Sequence, residues 1–420
     1  MRYKETPIGK IPEDWGVVRL GDSGVAEIRG NKSVNNVEKI AFIPMEFIPD
    51  SSIYTKYEIR NLNEVKSSTY CEAGDLLLAK ITPSLENGKQ GIVPENIPNG
   101  FALATTEVFP IVCKGIDRLF LFYILKHPRF RKVLEYSMRG TTGRQRVPKE
   151  AVENLLIPYP PLEEQRKIAE ILSTVDDAIQ KVDEAIAKTE RLKKGLMQEL
   201  LTKGIGHTEF KDTEIGRIPK EWEVVRLEDV TIDIQQGFAS GKRDENGVIQ
   251  LRMNNITTDG RIVLDSYIKV PIPDNIDRYL LKPEDILFNN TNSVDLIGKT
   301  AIFRGECNFC TYSNHITRIR VDKTKVVPEW ILYNFIKKWQ GKYFRQICVR
   351  HVGQAGIRSE DLRNTKLPLP PLEEQRKIAE ILSTVDKKLE LERKRKEKLE
   401  RIKKGLMNDL LTGKRRVKVS

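Results

Sequence analysis

The sequence predicts an α+β protein made of two tandem copies of one unit, in which a domain of mixed helices and strands precedes a long helix. The 17-residue stretch PPLEEQRKIAEILSTVD occurs at residues 160–176 and again, letter for letter, at 370–386. An earlier stretch, IGKIPEDWGVVRLGD at 8–22, returns as IGRIPKEWEVVRLED at 215–229. The two pairs are offset by 210 and 207 residues, so the whole chain is a tandem duplication.

The part of each copy that diverges has the composition of a mixed α/β domain. Short β-type runs such as LLLAKI (76–81) and HITRIRV (315–321) alternate with turns rich in Gly, Asn and Pro. A helix is predicted near LFLFYILKHPRFRKVLEY (119–136) and near EWILYNFIKKWQGKYFRQI (329–347). Matching tryptophans, Trp15 and Trp222, indicate a shared core.

Each repeated 17-residue stretch opens a long helix. Two prolines end the preceding chain, and no proline follows for about 40 residues, which is roughly 60 Å of helix. Apolar residues recur at the alternating spacing of four and three that is typical of a coiled-coil seam, with Thr189 and Lys193 as interruptions. In the first helix the seam comprises Ile168, Leu172, Val175, Ile179, Val182, Ile186, Leu196 and Leu200.

The sequence therefore predicts two domains (1–158 and 204–367), a first helix (159–203), and a second helix with a basic tail (368–420). The apolar seam of each long helix must pack against another apolar surface. Residues 177–192 carry 3 basic and 4 acidic side chains and residues 387–402 carry 8 and 4, so the two helices attract each other. Antiparallel pairing within the chain is the favoured arrangement, and pairing with another subunit is the alternative.

Composition limits the class of protein. The chain has 420 residues, a net charge of +12 and five cysteines, and it contains no stretch of about 20 apolar residues. A reduced, cytoplasmic setting is expected. Residues 369–420 hold 16 basic and 9 acidic side chains, so most of the positive excess lies there. DNA binding is possible on this basis, but a tail such as GKRRVKVS is often only a solvated end.

The repeated IGxIPxxW and PPLxEQxxIAxxL motifs closely resemble the specificity subunit of type I restriction-modification systems over essentially the full chain. The resemblance implies two target recognition domains, each reading one half of a bipartite double-stranded DNA target. It implies that the helices act as a spacer and dock two methyltransferase subunits, with restriction and motor subunits joining for cleavage. It also implies that S-adenosylmethionine, ATP and magnesium belong to those partners and that this chain is not itself catalytic.

The residues agree with a chain that lacks chemistry of its own. No GxxxxGK[ST] phosphate loop occurs in the sequence. Two other classes remain open. A self-contained nuclease or methyltransferase would be active alone with magnesium or S-adenosylmethionine. A coiled-coil DNA-binding adaptor without restriction partners would bind every duplex equally at fixed salt.

Base reading requires Arg, Lys, Asn or Gln side chains on loops that reach groove edges. The loop TTGRQR (141–146) and its counterpart HVGQAGI (351–357) are predicted readers, and a turn beneath the helix entrance is the alternative for both. A second group follows two matched strands, where asparagines are more often turn formers than base readers. The candidate DNA contacts are Lys80, Lys89, Arg144, Gln145, Arg146, Arg252, Asn254, Asn255, Asn289, Asn290, Asn292, Lys299, Arg350, Gln354 and Arg358.

Docking of a partner is predicted on the helices, because residues outside the seam are identical in both copies although packing does not require it. The candidates are Glu164 and Lys167 with their equivalents Glu374 and Lys377. A solvated, charged helix face is the alternative interpretation. Cys307, Cys310, Cys348 and His351 have the spacing of a zinc site, but the first half has nothing comparable, so unligated cysteines near a β core are favoured and no metal is predicted.

Overall fold

A computed structural model describes residues 2–35, 37–141 and 143–418. The chain forms two compact units: unit 1 is Met1–Glu184 with Arg393–Ser420, and unit 2 is Ala185–Glu392. The α-helices are α1 (Arg118–Lys126), α2 (Pro128–Tyr136), α3 (Lys149–Glu153), α4 (Leu162–Lys203), α5 (Pro328–Gln340), α6 (Tyr343–Ile347), α7 (Ser359–Arg363) and α8 (Leu372–Leu410). Across the described ranges, no helix combines the length and apolar character needed to cross a membrane.

Unit 1 contains the first twelve strands. They are β1 (Tyr3–Lys4), β2 (Ile11–Pro12), β3 (Gly16–Arg19), β4 (Ala26–Ile28), β5 (Lys39–Ile43), β6 (Glu58–Asn61), β7 (Thr69–Glu72), β8 (Leu76–Ala79), β9 (Gln90–Ile92), β10 (Phe101–Ala104), β11 (Val108–Cys113) and β12 (Leu156–Tyr159). Two four-stranded sheets, ordered β6-β5-β10-β7 and β4-β11-β8-β9, form its body. Strands β12 and β3 pair beside the entrance to α4.

Unit 2 contains the remaining strands. They are β13 (Phe210–Thr213), β14 (Gly216–Pro219), β15 (Glu223–Arg226), β16 (Thr231–Gln236), β17 (Val248–Leu251), β18 (Ile268–Val270), β19 (Ile286–Asn289), β20 (Thr291–Asn292), β21 (Thr300–Ile302), β22 (Cys310–Tyr312), β23 (Ile316–Val321), β24 (Val349–His351), β25 (Gln354–Gly356) and β26 (Lys366–Leu369). Its main sheet, β16-β23-β19-β21, has the same order and antiparallel pairing as β4-β11-β8-β9.

The central strand of each main sheet is buried on both faces. In β8, Leu76 and Leu78 join the large core that includes α1, whereas Leu77 joins a separate cluster. In β19, Ile286 and Phe288 face the α5 core while Leu287 faces the other way. Because side chains alternate along a strand, a continuous apolar run lets one strand serve two cores. Trp15 and Trp222 are fully buried, as predicted.

Both long helices begin directly after a pair of prolines, as the sequence predicts. Gln165 donates from Nε2 to the Pro160 carbonyl at 2.8 Å and accepts the backbone N–H of Asp117 at 2.8 Å, which anchors the first turn of α4. Gln375 repeats the first of these contacts with Pro370 at 2.8 Å. Helix α4 ends at Lys203, and Gly204 follows with φ +67°, a conformation that favours glycine.

The helix predicted over 119–136 is in fact two helices. Pro128 has no N–H and its ring clashes with the preceding turn, so α1 ends at Lys126 and α2 begins at Pro128. The segment 329–347 is likewise divided into α5 and α6, here at Gly341 and Lys342, the latter with φ +61°.

Within each unit the two long helices run antiparallel. In unit 1, Asp176 pairs with Lys403 at 2.5 Å and Asp183 with Lys396 at 2.6 Å. Residue numbers therefore increase along α4 in the direction in which they decrease along α8. In unit 2 the polar interruption of the predicted seam is buried: the Lys193 side chain is 9% exposed and pairs with Asp386 at 2.6 Å. The prediction of antiparallel pairing within the chain is confirmed, and the seam continues through a charged pair.

Candidate nucleic-acid interface

Two β-hairpins occupy equivalent positions in the units. In unit 2, β24 and β25 pair with Arg350 opposite Ala355, and β25 pairs with β20 at Thr291 and Gly356. In unit 1, Arg146 bridges both Arg139 and Ile81, which reproduces the same arrangement 210 residues earlier. These two segments, 139–146 and 349–356, are called the first and second hairpin below. Each hairpin is therefore paired with a neighbouring extended segment, and Thr142 of the first lies outside the described residues.

The second hairpin carries accessible polar side chains. Arg350, Gln354 and Arg358 are all exposed. Within the described part of the chain, none of these three side chains takes part in an ion pair or a hydrogen bond. Arg350 and Gln354 lie on the hairpin and Arg358 follows it, and guanidinium and amide groups without internal partners are available to contact base edges or phosphates.

The first hairpin is arranged differently. Arg144 is exposed, but Gln145 is only half-exposed, and its backbone carbonyl accepts the N–H of Thr82 at 3.0 Å. Arg146 donates two hydrogen bonds to Glu107, at 2.8 and 2.6 Å, and these bonds lower the pKa of the Glu107 carboxyl group. Arg139, which the sequence did not single out, is exposed beside them. Two of the predicted contacts in this hairpin are therefore partly committed to the fold.

Four candidate contacts in the second domain lie in the interior. Asn289, Asn290, Asn292 and Lys299 are buried, each at most 8% exposed. The Lys299 ammonium donates to the carbonyls of Met253 and Ile256 at 3.1 and 2.5 Å, and its burial lowers its pKa. Asn290 donates to the Thr317 hydroxyl at 2.9 Å. The prediction that these four side chains are accessible is wrong, and two of them, Asn289 and Lys299, instead tie the turn at 252–256 to the strand end.

The turn at 252–256 has one buried and two exposed candidates. Asn255 is 1% exposed, and its Nδ2 donates to the carbonyls of Val263 and Ser266, both at 2.8 Å. Arg252 and Asn254 are exposed. Because Asn289 donates to Met253 and the Asn290 carbonyl accepts the N–H of Ile357, one strand end holds this turn and the second hairpin together.

Lys80 and Lys89 of unit 1 are also partly used by the fold. Lys80 is half-buried and lies 5.0 Å from the centre of the Phe109 ring, and burial lowers its pKa. Lys89 donates to the carbonyls of Met45 and Ile48 at 2.8 and 3.3 Å. The Lys89 ammonium group is therefore occupied by the fold, whereas that of Lys80 is partly covered.

The predicted docking residues divide into buried and exposed positions. Glu164 is 1% exposed and accepts Nε1 of Trp15 at 3.0 Å together with two hydrogen bonds from Arg416. Arg416 also donates twice to Asp14, at 2.8 Å each, and these carboxylates raise the pKa of Arg416. We call this cluster the first Trp–Glu joint. The prediction that Glu164 faces outward is wrong, and so is the view of the tail as only a solvated end.

Unit 2 contains the equivalent second Trp–Glu joint. Glu374 accepts Nε1 of Trp222 at 3.0 Å and contacts Nε2 of His207 at 2.9 Å, and it also accepts the N–H of Ile205 at 2.9 Å. Its side chain is 14% exposed, so it offers little surface to a partner. Lys167 and Lys377, by contrast, are exposed, with local ion pairs to Glu170 and Glu373 at 2.8 and 2.9 Å.

The cysteines do not cluster as the zinc pattern would require. Cys307 and Cys310 lie close together, with their Cα atoms 6.1 Å apart, and both belong to the Leu287 cluster. Cys348 packs against the other core of unit 2. In the ranges that the structure describes, no group of three or more His, Cys, Asp or Glu residues could hold a metal ion.

Sequence reasoning missed the residues that connect each domain to the helices. Tyr123 donates to Asp176 at 2.7 Å and Tyr333 to Asp386 at 2.8 Å, and burial raises the pKa of both phenols. The signal was present, since Tyr123 and Tyr333 are offset by 210 residues, as are the two aspartates. It also missed Val352 at the tip of the second hairpin.

Comparison with known proteins agrees with this architecture. The type I restriction modification DNA specificity domain matches residues 12–190 and again 219–401, so the chain belongs to this family. It is 33% identical over 437 residues to the MjaVIII specificity subunit of Methanocaldococcus jannaschii, covering 99% of this chain and 96% of the relative. The MjaX specificity subunit of the same organism, itself named as putative, is 31% identical over 446 residues, covering 99% and 97%.

Two solved structures share the fold. The S subunit of a type I restriction-modification system from M. genitalium matches with a TM-score of 0.60 at 14% identity, covering 97% of this chain and 99% of that one. A chain from a study of complex assembly in the type I R-M system matches with a TM-score of 0.55 at 20% identity, covering 96% and 99%. The protein is thus a DNA specificity subunit, and catalysis resides in its partner subunits.

Proposed function

We propose that unit 1 and unit 2 each read one half of a bipartite duplex DNA target, chiefly through the first and second hairpins. The observation that carries the proposal is the contrast between two parts of the duplication. The hairpins occupy equivalent positions yet present different exposed side chains, Arg139 and Arg144 in one and Arg350 and Gln354 in the other. The helix entrances, by contrast, are identical over 17 residues.

The accessible candidates form a smaller set than the sequence suggested. In unit 2, Arg252 and Asn254 on the turn at 252–256 join Arg350, Gln354 and Arg358, because one strand end supports both segments. Arginine forms bidentate contacts with guanine and glutamine with adenine, and each such contact discriminates by about 1–3 kcal/mol. Arg144 and Arg139 are the corresponding readers in unit 1, with Arg146 held by Glu107 as a support.

Partner docking is proposed on the exposed positions of the repeated helix motif. Arg166 and Lys167 in α4, and Arg376 and Lys377 in α8, are exposed and identical in the two copies. Identical surfaces suit two identical partners, which on this proposal are two methyltransferase subunits, with restriction and motor subunits joining them. Those partners would hold S-adenosylmethionine, ATP and magnesium, and duplex DNA as the target implies a cytoplasmic location.

Modified-base mapping tests the reading proposal directly. The chain is co-expressed with the methyltransferase of its system, and methylated positions are mapped across the host genome. We expect a single asymmetric, two-part motif. Arg350→Ala with Gln354→Ala should relax one half of the motif only, and Arg144→Ala should relax the other half, because each hairpin serves one domain.

Lys66→Ala, a change at an exposed lysine outside both hairpins, is the matched control and should leave the motif unchanged. Random or absent modification by the unaltered complex would reject the proposed function. A motif that both hairpin variants alter in the same half would reject the assignment of one hairpin to each half.

A further inference from the structure

The tip of the second hairpin carries an apolar side chain that has no role in the fold. Val352 is 106% exposed, a larger fraction than any other large hydrophobic side chain in the described ranges. It occupies the first of two residues between His351 and Gln354, and Gly353 follows with φ +80°. Glycine supplies the positive φ that the turn needs, so the turn places no demand for valine on position 352.

Turn positions favour Gly, Pro, Asn, Asp and Ser, each for a backbone reason, and a β-branched side chain brings none of those advantages. An added Cβ at Gly353 would meet no atom within 4 Å, so the space around the tip is open. Valine at the furthest point of a projecting ribbon is therefore explained neither by packing nor by turn chemistry. We therefore expect the Val352 side chain to contact another molecule.

The neighbours of Val352 identify that contact as DNA. Arg350 and Gln354 flank the tip on the two strands, and both are exposed and without internal partners in the described part of the chain. A two-stranded ribbon of this kind fits the major groove of B-DNA. In that groove, the one apolar feature of the base edges is the C5-methyl group of thymine.

We propose that Val352 contacts the C5-methyl group of a thymine in the half-site read by unit 2, while Arg350 and Gln354 contact neighbouring base edges or phosphates. The proposal rests on the DNA-reading function proposed above. It adds one defined requirement to the target, because a cytosine at that position would lack the methyl group. The target half read by unit 2 must contain at least one thymine whose methyl group contributes to affinity.

The test uses deoxyuridine, which is thymine without the methyl group. The target duplex is selected with the full chain from a random pool, and each thymine is then replaced singly by deoxyuridine. We expect one replacement to weaken binding by the unaltered chain about fourfold, as for one buried methyl group. Val352→Ala should weaken binding to the thymine duplex at least as much, and it should be indifferent to that same replacement.

Ile232→Ala is the control variant, because Ile232 is also an exposed apolar residue of unit 2, at 70%. It should bind like the unaltered chain and remain sensitive to deoxyuridine. The inference is overturned if no deoxyuridine weakens binding, if Val352→Ala keeps full affinity, or if the two effects multiply independently, as they would for an apolar wedge elsewhere in the DNA. If the unaltered chain binds all duplexes alike, the proposed function itself fails, which is a separate result.

Discussion

The two Trp–Glu joints have the same plan but use different basic residues. In both, a buried indole donates to a glutamate in the first turn of a long helix, at 3.0 Å in each case. The first joint is closed by Arg416, which binds Glu164 and Asp14 through four hydrogen bonds. The second is closed by His207, which contacts Glu374 alone at hydrogen-bond distance.

This difference shows which part of a duplicated structure is free to change. The tryptophan and glutamate set where the domain meets the helix, and both copies keep them. The basic residue comes from the segment that follows the other helix, which in unit 1 is the tail and in unit 2 is the link into the second domain. Because an imidazole makes fewer hydrogen bonds than a guanidinium, we expect the stability of the second joint to depend less on His207 than that of the first depends on Arg416.

Removing Arg416 should have the largest effect. Arg416→Ala leaves Glu164, whose side chain is 2% exposed, with Trp15 as its remaining donor, and a buried carboxylate that loses its cation costs about 3 kcal/mol. Hydrogen exchange measured by mass spectrometry should show that loss in peptides covering residues 8–22. Peptides covering 215–229 serve as the internal control. Equal loss in both regions, or none, would contradict this account of the first joint.

The buried lysine–aspartate pairs should show a smaller difference between the units. Lys403→Met leaves Asp176 at 11% exposure, whereas Lys193→Met leaves Asp386 at 35%, where water can solvate it. We expect losses of about 2 and about 1 kcal/mol in the free energy of unfolding of the respective units. Urea titration followed by exchange of α1 and α5 peptides separates the two. A larger loss from Lys193→Met would reverse the ranking.

The smallest effect is expected at the second joint. His207→Ala leaves Glu374 with hydrogen bonds from the Trp222 indole and the Ile205 N–H, so the expected loss is about 0.5–1 kcal/mol. The same exchange measurement on residues 215–229 reports it. His207→Arg is the complementary change, because it introduces a guanidinium at the second joint. The stability of the second joint should then match that of the first. A loss from His207→Ala as large as that from Arg416→Ala would show that the joints are equivalent.

Much of the fold was predictable because the signal is local or repeated. The prolines before Leu162 and Leu372 and the periodic apolar residues predicted both long helices, and the 210-residue offset predicted two related domains. The break at Pro128 was also visible in the sequence but was not used. These features depend on neighbouring residues, which a sequence displays directly.

The site was less predictable because burial of polar groups depends on distant residues. Glu164 lies on a helix that is solvated elsewhere, and it is covered by Trp15 and Arg416, which are 149 and 252 residues away. Asn290 follows a strand in a pattern that also suits a loop, yet it donates to Thr317 in the interior. Glu164 and Glu374 were predicted to dock a partner because they are identical in the two copies. Residues that form a buried joint in both units are identical for a different reason, which is their contact with the tryptophan.

The division of the chain into units has a consequence for synthesis on the ribosome. Domains usually fold in the order in which they are made. Here unit 2 is one continuous segment, Ala185–Glu392, whereas unit 1 needs residues from Arg393 onward. The second unit is therefore fully synthesised first, and the domain translated first waits for Arg416 and its neighbours. Until then the core cluster that contains Trp15 lacks Leu410 and Leu411, and the Trp15 ring lacks Arg416.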